Sequence, residues 1–154
     1  MKKIFILSLA VAVFTVSCKK STSSPASTTP ATVTQSFTAV IGGNNWTAAT
    51  VTGTIYSGYI NITATASDGS TIILSFPQVI TAWSSAMGSG TSNNLSYRST
   101  SATNSSYTGF NGTLVITSNA NNVVQGSYSG LDLENGNNTI PTIYGTSGSF
   151  VAKY

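Results

Sequence analysis

The sequence predicts an all-β domain: a single antiparallel β-sandwich or up-and-down barrel of about eight or nine strands over residues 35–154. Three observations carry that expectation. No stretch sustains a helical period of apolar residues. Thr, Val, Ile and Tyr, which suit a pleated half-buried surface, are abundant. Clusters of Gly, Asn, Asp and Ser return roughly every ten residues, the spacing of short strands and turns.

In chain order, Ser36–Ile41 and Asn45–Val51 read as strands joined by Gly42-Gly43-Asn44, and Thr52–Tyr56 as a weaker one. The clearest strand is Tyr59–Ala66, in which Ile60, Ile62, Ala64 and Ala66 point one way and Tyr59, Asn61, Thr63 and Thr65 the other. Thr71–Phe76 follows. A two-residue Asp68-Gly69 turn would set Thr65 against Ile72, polar against apolar. A three-residue turn with Gly69 left-handed sets Ala64 against Ile72, Ile62 against Leu74 and Ile60 against Phe76. A slip of one residue inverts every side chain, so the apolar pattern selects the second register and makes Asp68 a turn residue. Leu95–Ser101 is another weak strand, and Thr113–Thr117, Val123–Ser129 and Ile143–Ala152 complete the set, with Ser118–Asn122 joining the first two of these.

The charged fraction is 6% against roughly 25% in ordinary domains. There is no histidine, and Cys18 is the lone cysteine. A zinc site, a Ser-His-Asp triad and an internal disulfide are excluded by count alone. The net charge of +3 comes from Lys2, Lys3, Lys19 and Lys20 near the start. Beyond Thr34, Arg98 and Lys153 face Asp68, Asp132 and Glu134, a balance of −1. Two scattered cations cannot neutralise a run of phosphates, so no nucleic acid is expected as a partner.

Residues 1–17 read as a signal peptide: a basic Met1-Lys2-Lys3 start, then an apolar run from Ile4 to Val16 too short for the roughly 20 residues of a membrane span. Phe14-Thr15-Val16-Ser17-Cys18 resembles the bacterial lipobox, with Thr15 where that pattern prefers an aliphatic residue. The resemblance implies cleavage before Cys18 and lipid, palmitate included, on that cysteine. At about 0.8 kcal/mol per buried methylene, two chains hold a protein firmly at a membrane. Residues 18–34, rich in Ser, Thr and Pro, then form a lipid-anchored tether. Roughly 15 such residues have a reach of about 20–25 Å.

Phe37-Thr38-Ala39-Val40-Ile41-Gly42-Gly43-Asn44-Asn45-Trp46-Thr47-Ala48 resembles the opening segment, F/M-x-A-x-I-N-G-x-x-W-x-A, of small Bacteroidota lipoproteins of unknown function. Gly112–Thr117 followed by Val124–Ser129 resembles their second recurring segment, and Gly148-Ser149-Phe150 their closing strand. The resemblance implies an all-β lipoprotein domain and supplies no catalytic residue. With Lys19-Lys20-Ser21 and no acid after the cysteine, it favours the periplasmic face of the outer membrane, with surface display as the alternative.

Asp132 and Glu134 are the one close carboxylate pair. On a strand they share a face, as a glycosidase pair would. The following Asn135-Gly136-Asn137-Asn138 makes them solvated charges at a strand end instead, and the spacing fails an EF-hand. No base is placed for a Ser or Thr nucleophile, so no catalytic residue, metal or cofactor is expected. Trp46 reads as a core anchor. Between Pro77 and Phe110 the pattern weakens. Trp83, Tyr97, Arg98 and Tyr107, with Met87, lie there among Ser, Gly, Asn and Thr. Long loops in compact domains are commonly functional, so this segment is expected to form an open rim, with Trp83, Tyr97, Arg98 and Tyr107 as ligand-binding candidates. Trp83 and Tyr97 also read as inward-folded core or lid residues. The function expected is a non-enzymatic, membrane-anchored binding module for a glycan, peptide or other envelope ligand; the alternative is an accessory subunit of an envelope protein complex.

Overall fold

The computed structural model describes residues 32–79, 81–100, 106–137 and 140–154, all within the compact unit Thr32–Tyr154. The expected signal peptide, Cys18 and the tether as far as Ala31 lie outside the described residues.

Eleven strands and no helix occur among the described residues: β1 Ser36–Ile41, β2 Asn44–Thr47, β3 Thr50–Tyr56, β4 Tyr59–Thr65, β5 Thr71–Pro77, β6 Trp83–Met87, β7 Asn94–Arg98, β8 Ser106–Phe110, β9 Gly112–Ala120, β10 Val123–Asn135 and β11 Ile143–Lys153. They form one antiparallel sheet in the order β2-β1-β11-β10-β8-β7-β5-β4-β3, with β9 on β10 and β6 on β9. The sheet curls into a half-barrel around a single core. Its two terminal strands, β2 and β3, are consecutive in the chain and separated only by Ala48-Ala49.

The β4–β5 register is Ala64↔Ile72, Ile62↔Leu74 and Ile60↔Phe76, with Gly69 at φ 87°, as the apolar pattern requires. All six of these side chains are fully buried. Gly42 and Gly43 both take positive φ between Ile41 and Asn44, a two-residue turn whose twist matches the flanking strands. Asn121 and Asn122 do the same between β9 and β10, at φ 54° and 60°, so the expected five-residue connection Ser118–Asn122 shortens to two.

Other expectations are corrected. Asn45–Val51 is two strands, because the amide of Ala48 bonds back to Phe37 and that of Ala49 to Thr65, turning the chain from one end of the sheet to the other. The weak strand Leu95–Ser101 is Asn94–Arg98; Ser101 lies outside the described residues. The segment Pro77–Phe110 is not one long rim of loop, since β6, β7 and β8 lie in it. β10 continues through Asp132 and Glu134, which pair with Phe110 and Thr108.

β10 branches the sheet. Its first half pairs with β9 and its second with β8. A register shift after Tyr128, with Gly130 at φ 66°, bends it there. Asn111, at φ 58°, bends the β8–β9 partner to match. Gly88 packs against this bend, where an added Cβ would sit 2.9 Å from the Phe110 Cα.

The core centres on Phe37. Its ring stacks on Phe150 at 5.8 Å, meets Trp46 edge-on at 6.1 Å and touches Tyr128 at 6.1 Å. Such aromatic pairs add about 0.5–1.5 kcal/mol each beyond area burial. Several inward positions are glycine, each covered by a neighbour's large side chain: Gly109 and Gly112 by Leu131, Gly126 by Phe150, Gly148 by Tyr128.

Candidate functional site

Trp46, Ala39, Gly148 and Tyr128 lie side by side across β2, β1, β11 and β10, and the side chains of Trp46, Ala39 and Tyr128 point inward. On the outer face their backbone is therefore the floor of a pleat. One wall is Thr47, Thr38, Ser149 and Ser127, which are mutual register partners; the other is Asn45, Val40 and Ser147, with Ser129 at the bulge. Because these wall side chains are small, the pleat opens into a trough of about 580 Å³. A smaller hollow of about 180 Å³ continues past the shared Ser127 and Ser149 toward Ser36 and Gln125.

The trough is electrostatically neutral: no Asp, Glu, Lys or Arg lines it. Its walls carry six hydroxyls and one amide, and Thr38 Oγ1 and Ser149 Oγ hydrogen-bond at 3.0 Å. Hydroxyls both donate and accept, so the walls can meet a ligand presenting either. Tyr128 is the one titratable lining residue. Its phenol is buried without a hydrogen-bond partner, and burial pushes its pKa up, so it stays neutral. Nothing in the trough offers a base or an anion site.

The candidates read from the sequence do not form one constellation. Tyr97 and Tyr107 are cross-strand partners on β7 and β8, with rings 5.9 Å apart and tilted by 30°. Both are half-buried against the core. The Tyr97 phenol is pushed up, chiefly by burial, then by the charges of Asp68 and Tyr107, while Ser70 pulls the other way. Arg98 is exposed on the opposite face of β7 and makes no ion pair among the described residues. Trp83 sits on β6 across from Ile116, beyond the Asn111 bend; it is half-buried against the core, and its indole N–H is buried and unpaired. The structure thus brings the two tyrosines together and leaves Arg98 and Trp83 apart from them.

Trp46 is the anchor its pattern suggested. Its indole Nε1 donates to Ser70 Oγ at 2.7 Å, and Ser70 donates its hydroxyl and its amide to Asp68 Oδ1 at 2.6 and 2.8 Å. These bonds, the side-chain one first, hold the Asp68 carboxyl below the usual carboxylate range. Asp132 accepts from the Gly145 amide at 3.2 Å, a fastening for the start of β11. Among the described residues no cluster of His, Cys, Asp and Glu could hold a metal ion.

The trough escaped sequence reading, although it had a signal. Asn45-Trp46-Thr47, Thr38-Ala39-Val40, Ser147-Gly148-Ser149 and Ser127-Tyr128-Ser129 are triplets in which small residues flank an inward one. Only the register aligns them. Comparison with known proteins finds no family model that matches the chain, no curated protein that matches it and no solved structure that matches it.

Proposed function

We propose that this protein is a lipid-anchored, non-enzymatic binding module of the bacterial cell envelope that takes an uncharged, hydroxyl-rich ligand, a neutral glycan strand, in the trough. The observation that carries the reading is the lining itself: about 580 Å³ bounded by six hydroxyls, an amide and Val40, with no charged side chain. That volume falls in the roughly 300–1,000 Å³ range of small-molecule sites. A carboxylated or phosphorylated ligand would find no counter-ion there, whereas sugar hydroxyls find donors and acceptors together. Support for the anchor is the lipobox-like Thr15-Val16-Ser17-Cys18 and the resemblance to Bacteroidota lipoproteins, which also favours the periplasmic face of the outer membrane.

The test is calorimetric titration of the full-length protein with neutral glycans, acidic glycans and short peptides. Ser149→Trp fills the trough from an exposed, outward position without entering the core. Binding of a neutral glycan that weakens about ten-fold or more in Ser149→Trp is expected, since that variant blocks the walls. Binding lost instead in Tyr97→Ala and kept in Ser149→Trp moves the site to the tyrosine pair. Fatty-acid labelling of the wild type and not of Cys18→Ser is expected for the anchor; equal labelling of both refutes it.

A further inference from the structure

Tyr56 and Tyr59 share one end of the domain with Ile55, while Tyr144 stands at the other. Gln35 Oε1 accepts from the Lys153 amide, so the chain joins the domain where β11 finishes. β3 runs out past that same end. It starts beside Phe37, which lies level with Phe150; at Gly53 it lies against the Lys153 carbonyl; it then continues through Thr54 and Ile55 to Tyr56. At roughly 3.3 Å per residue, the β3–β4 turn projects about 10 Å beyond the end of β11. The tip is a two-residue Ser57-Gly58 turn between Tyr56 and Tyr59, which pair across it. Tyr56 is 76%, Ile55 47% and Tyr59 37% exposed. The cation nearest this end is Lys153.

Every acidic side chain of the sequence lies toward the other end. Asp68 is in the β4–β5 turn, at the far end of β4 from Tyr59. Glu134 is level with Thr108, Ser96, Ile73 and Thr63 across the sheet, and Asp132 ties to Gly145 near the start of β11. Arg98, opposite Thr71, is there too. The carboxylate end therefore carries three acidic side chains and Arg98, and the tip end carries Lys153 as its one charged side chain among the described residues.

We propose that the Tyr56–Tyr59 tip, with Ile55, is a foot that rests in the interface of the membrane holding the lipid on Cys18, so that the carboxylate end points away from the bilayer. This rests on the lipid-anchor reading. Tyrosine suits that interface, with an apolar ring and a hydroxyl for water or headgroups. An anionic leaflet repels the carboxylate end within about a Debye length of roughly 10 Å. The tether joins the domain at the tip end, and its reach of about 20–25 Å lets the foot touch down.

The test uses the full lipidated protein in vesicles of phosphatidylethanolamine and phosphatidylglycerol, with brominated lipid as quencher. Tyr56→Trp reports from the tip. Tyr144→Trp, also highly exposed (74%) but at the opposite end of β11 from Lys153, is the control. Emission from each is taken relative to the wild type, which carries Trp46 and Trp83. About a two-fold loss of the added emission in Tyr56→Trp, with none in Tyr144→Trp, is expected for a residue in the interface. Flotation separates the two readings. If the wild type floats with vesicles, Cys18→Ser does not, and neither or both reporters are quenched, the foot is overturned and the anchor stands. A wild type that stays with the soluble fraction overturns both. Shielding of Tyr56→Trp by a soluble glycan or protein without lipid overturns the foot in favour of that occupant.

Discussion

Gly148→Ala tests the close approach on which the trough floor depends. Gly148 has no positive φ, so the substitution carries no left-handed strain. Its cost is steric. An added Cβ would lie 2.4 Å from the Thr38 carbonyl oxygen and 2.6 Å from the Tyr128 hydroxyl, whereas ordinary contact begins at 3.4 Å. Thr38 belongs to the neighbouring strand, and its oxygen is backbone, so β1 and β11 must part by about 1 Å from their usual spacing of about 4.8 Å. That stretches the ladder bonds around Ala39↔Gly148, each contributing about 1 kcal/mol, and lifts the Tyr128 ring from its place against Phe37. The expected loss is about 2–4 kcal/mol, a large share of the roughly 5–15 kcal/mol that holds a domain folded. Urea unfolding followed by tryptophan emission should show the midpoint falling by about 1–2 M. Two controls calibrate it. Gly145→Ala meets open space but at φ +67°, and should lose about 1–2 kcal/mol from backbone strain. Gly136→Ala meets open space without positive φ and should change stability by less than about 0.5 kcal/mol. A Gly148→Ala loss no larger than that of Gly145→Ala would refute the steric argument.

Tyr128→Phe removes a buried hydroxyl that has no partner, so stability should hold or rise by up to about 1 kcal/mol in the same urea assay; a loss above about 1 kcal/mol would mean the hydroxyl is bonded. Ile62→Ala, at a fully buried site between Gly53 and Leu74, should cost about 2–5 kcal/mol through the cavity it leaves, and a loss under about 1 kcal/mol would show that the site collapses. Because the Asp68 pKa is lowered on folding, its bonds to Ser70 stabilise the fold above the unfolded value and that contribution fades as pH falls below about 4. Asp68→Asn should flatten the acid limb of a stability–pH profile, and an unchanged limb would remove Asp68 from the account.

The β4–β5 register was legible because Ile60, Ile62 and Ala64 alternate strictly, as do Ile72, Leu74 and Phe76, and each occupies its own inward place. β8 was not. Its inward positions are Tyr107 and Gly109, and the space over Gly109 is filled by Leu131 from β10. Where a glycine lends its place to a neighbour's side chain, local apolar alternation vanishes although the position is buried. β6 hides for a related reason: Ser85, between Trp83 and Met87, takes a hydrogen bond from the buried Asn93 amide. The tyrosine pair was found by residue type, but Trp83 and Arg98 were grouped with it by proximity in sequence, which the Asn111 bend and the pleat undo. The trough needs β1 beside β11, a pairing between segments more than a hundred residues apart (Thr38 and Ser149 are separated by 111) that no local pattern encodes.

That same pairing sets the timetable of folding. β11 fills the gap between β1 and β10, and Phe150 from β11 completes the aromatic cluster around Phe37. A chain delivered N-terminus first holds β1 with only β2 beside it until nearly all the remaining strands have emerged. Loop-closure entropy must be met before these distant contacts reward it, so the docking of β11 belongs among the slow, non-local steps of β-sheet assembly. Such lateness keeps the polymer pliant through most of its assembly and lets it become rigid only once the final strand has docked.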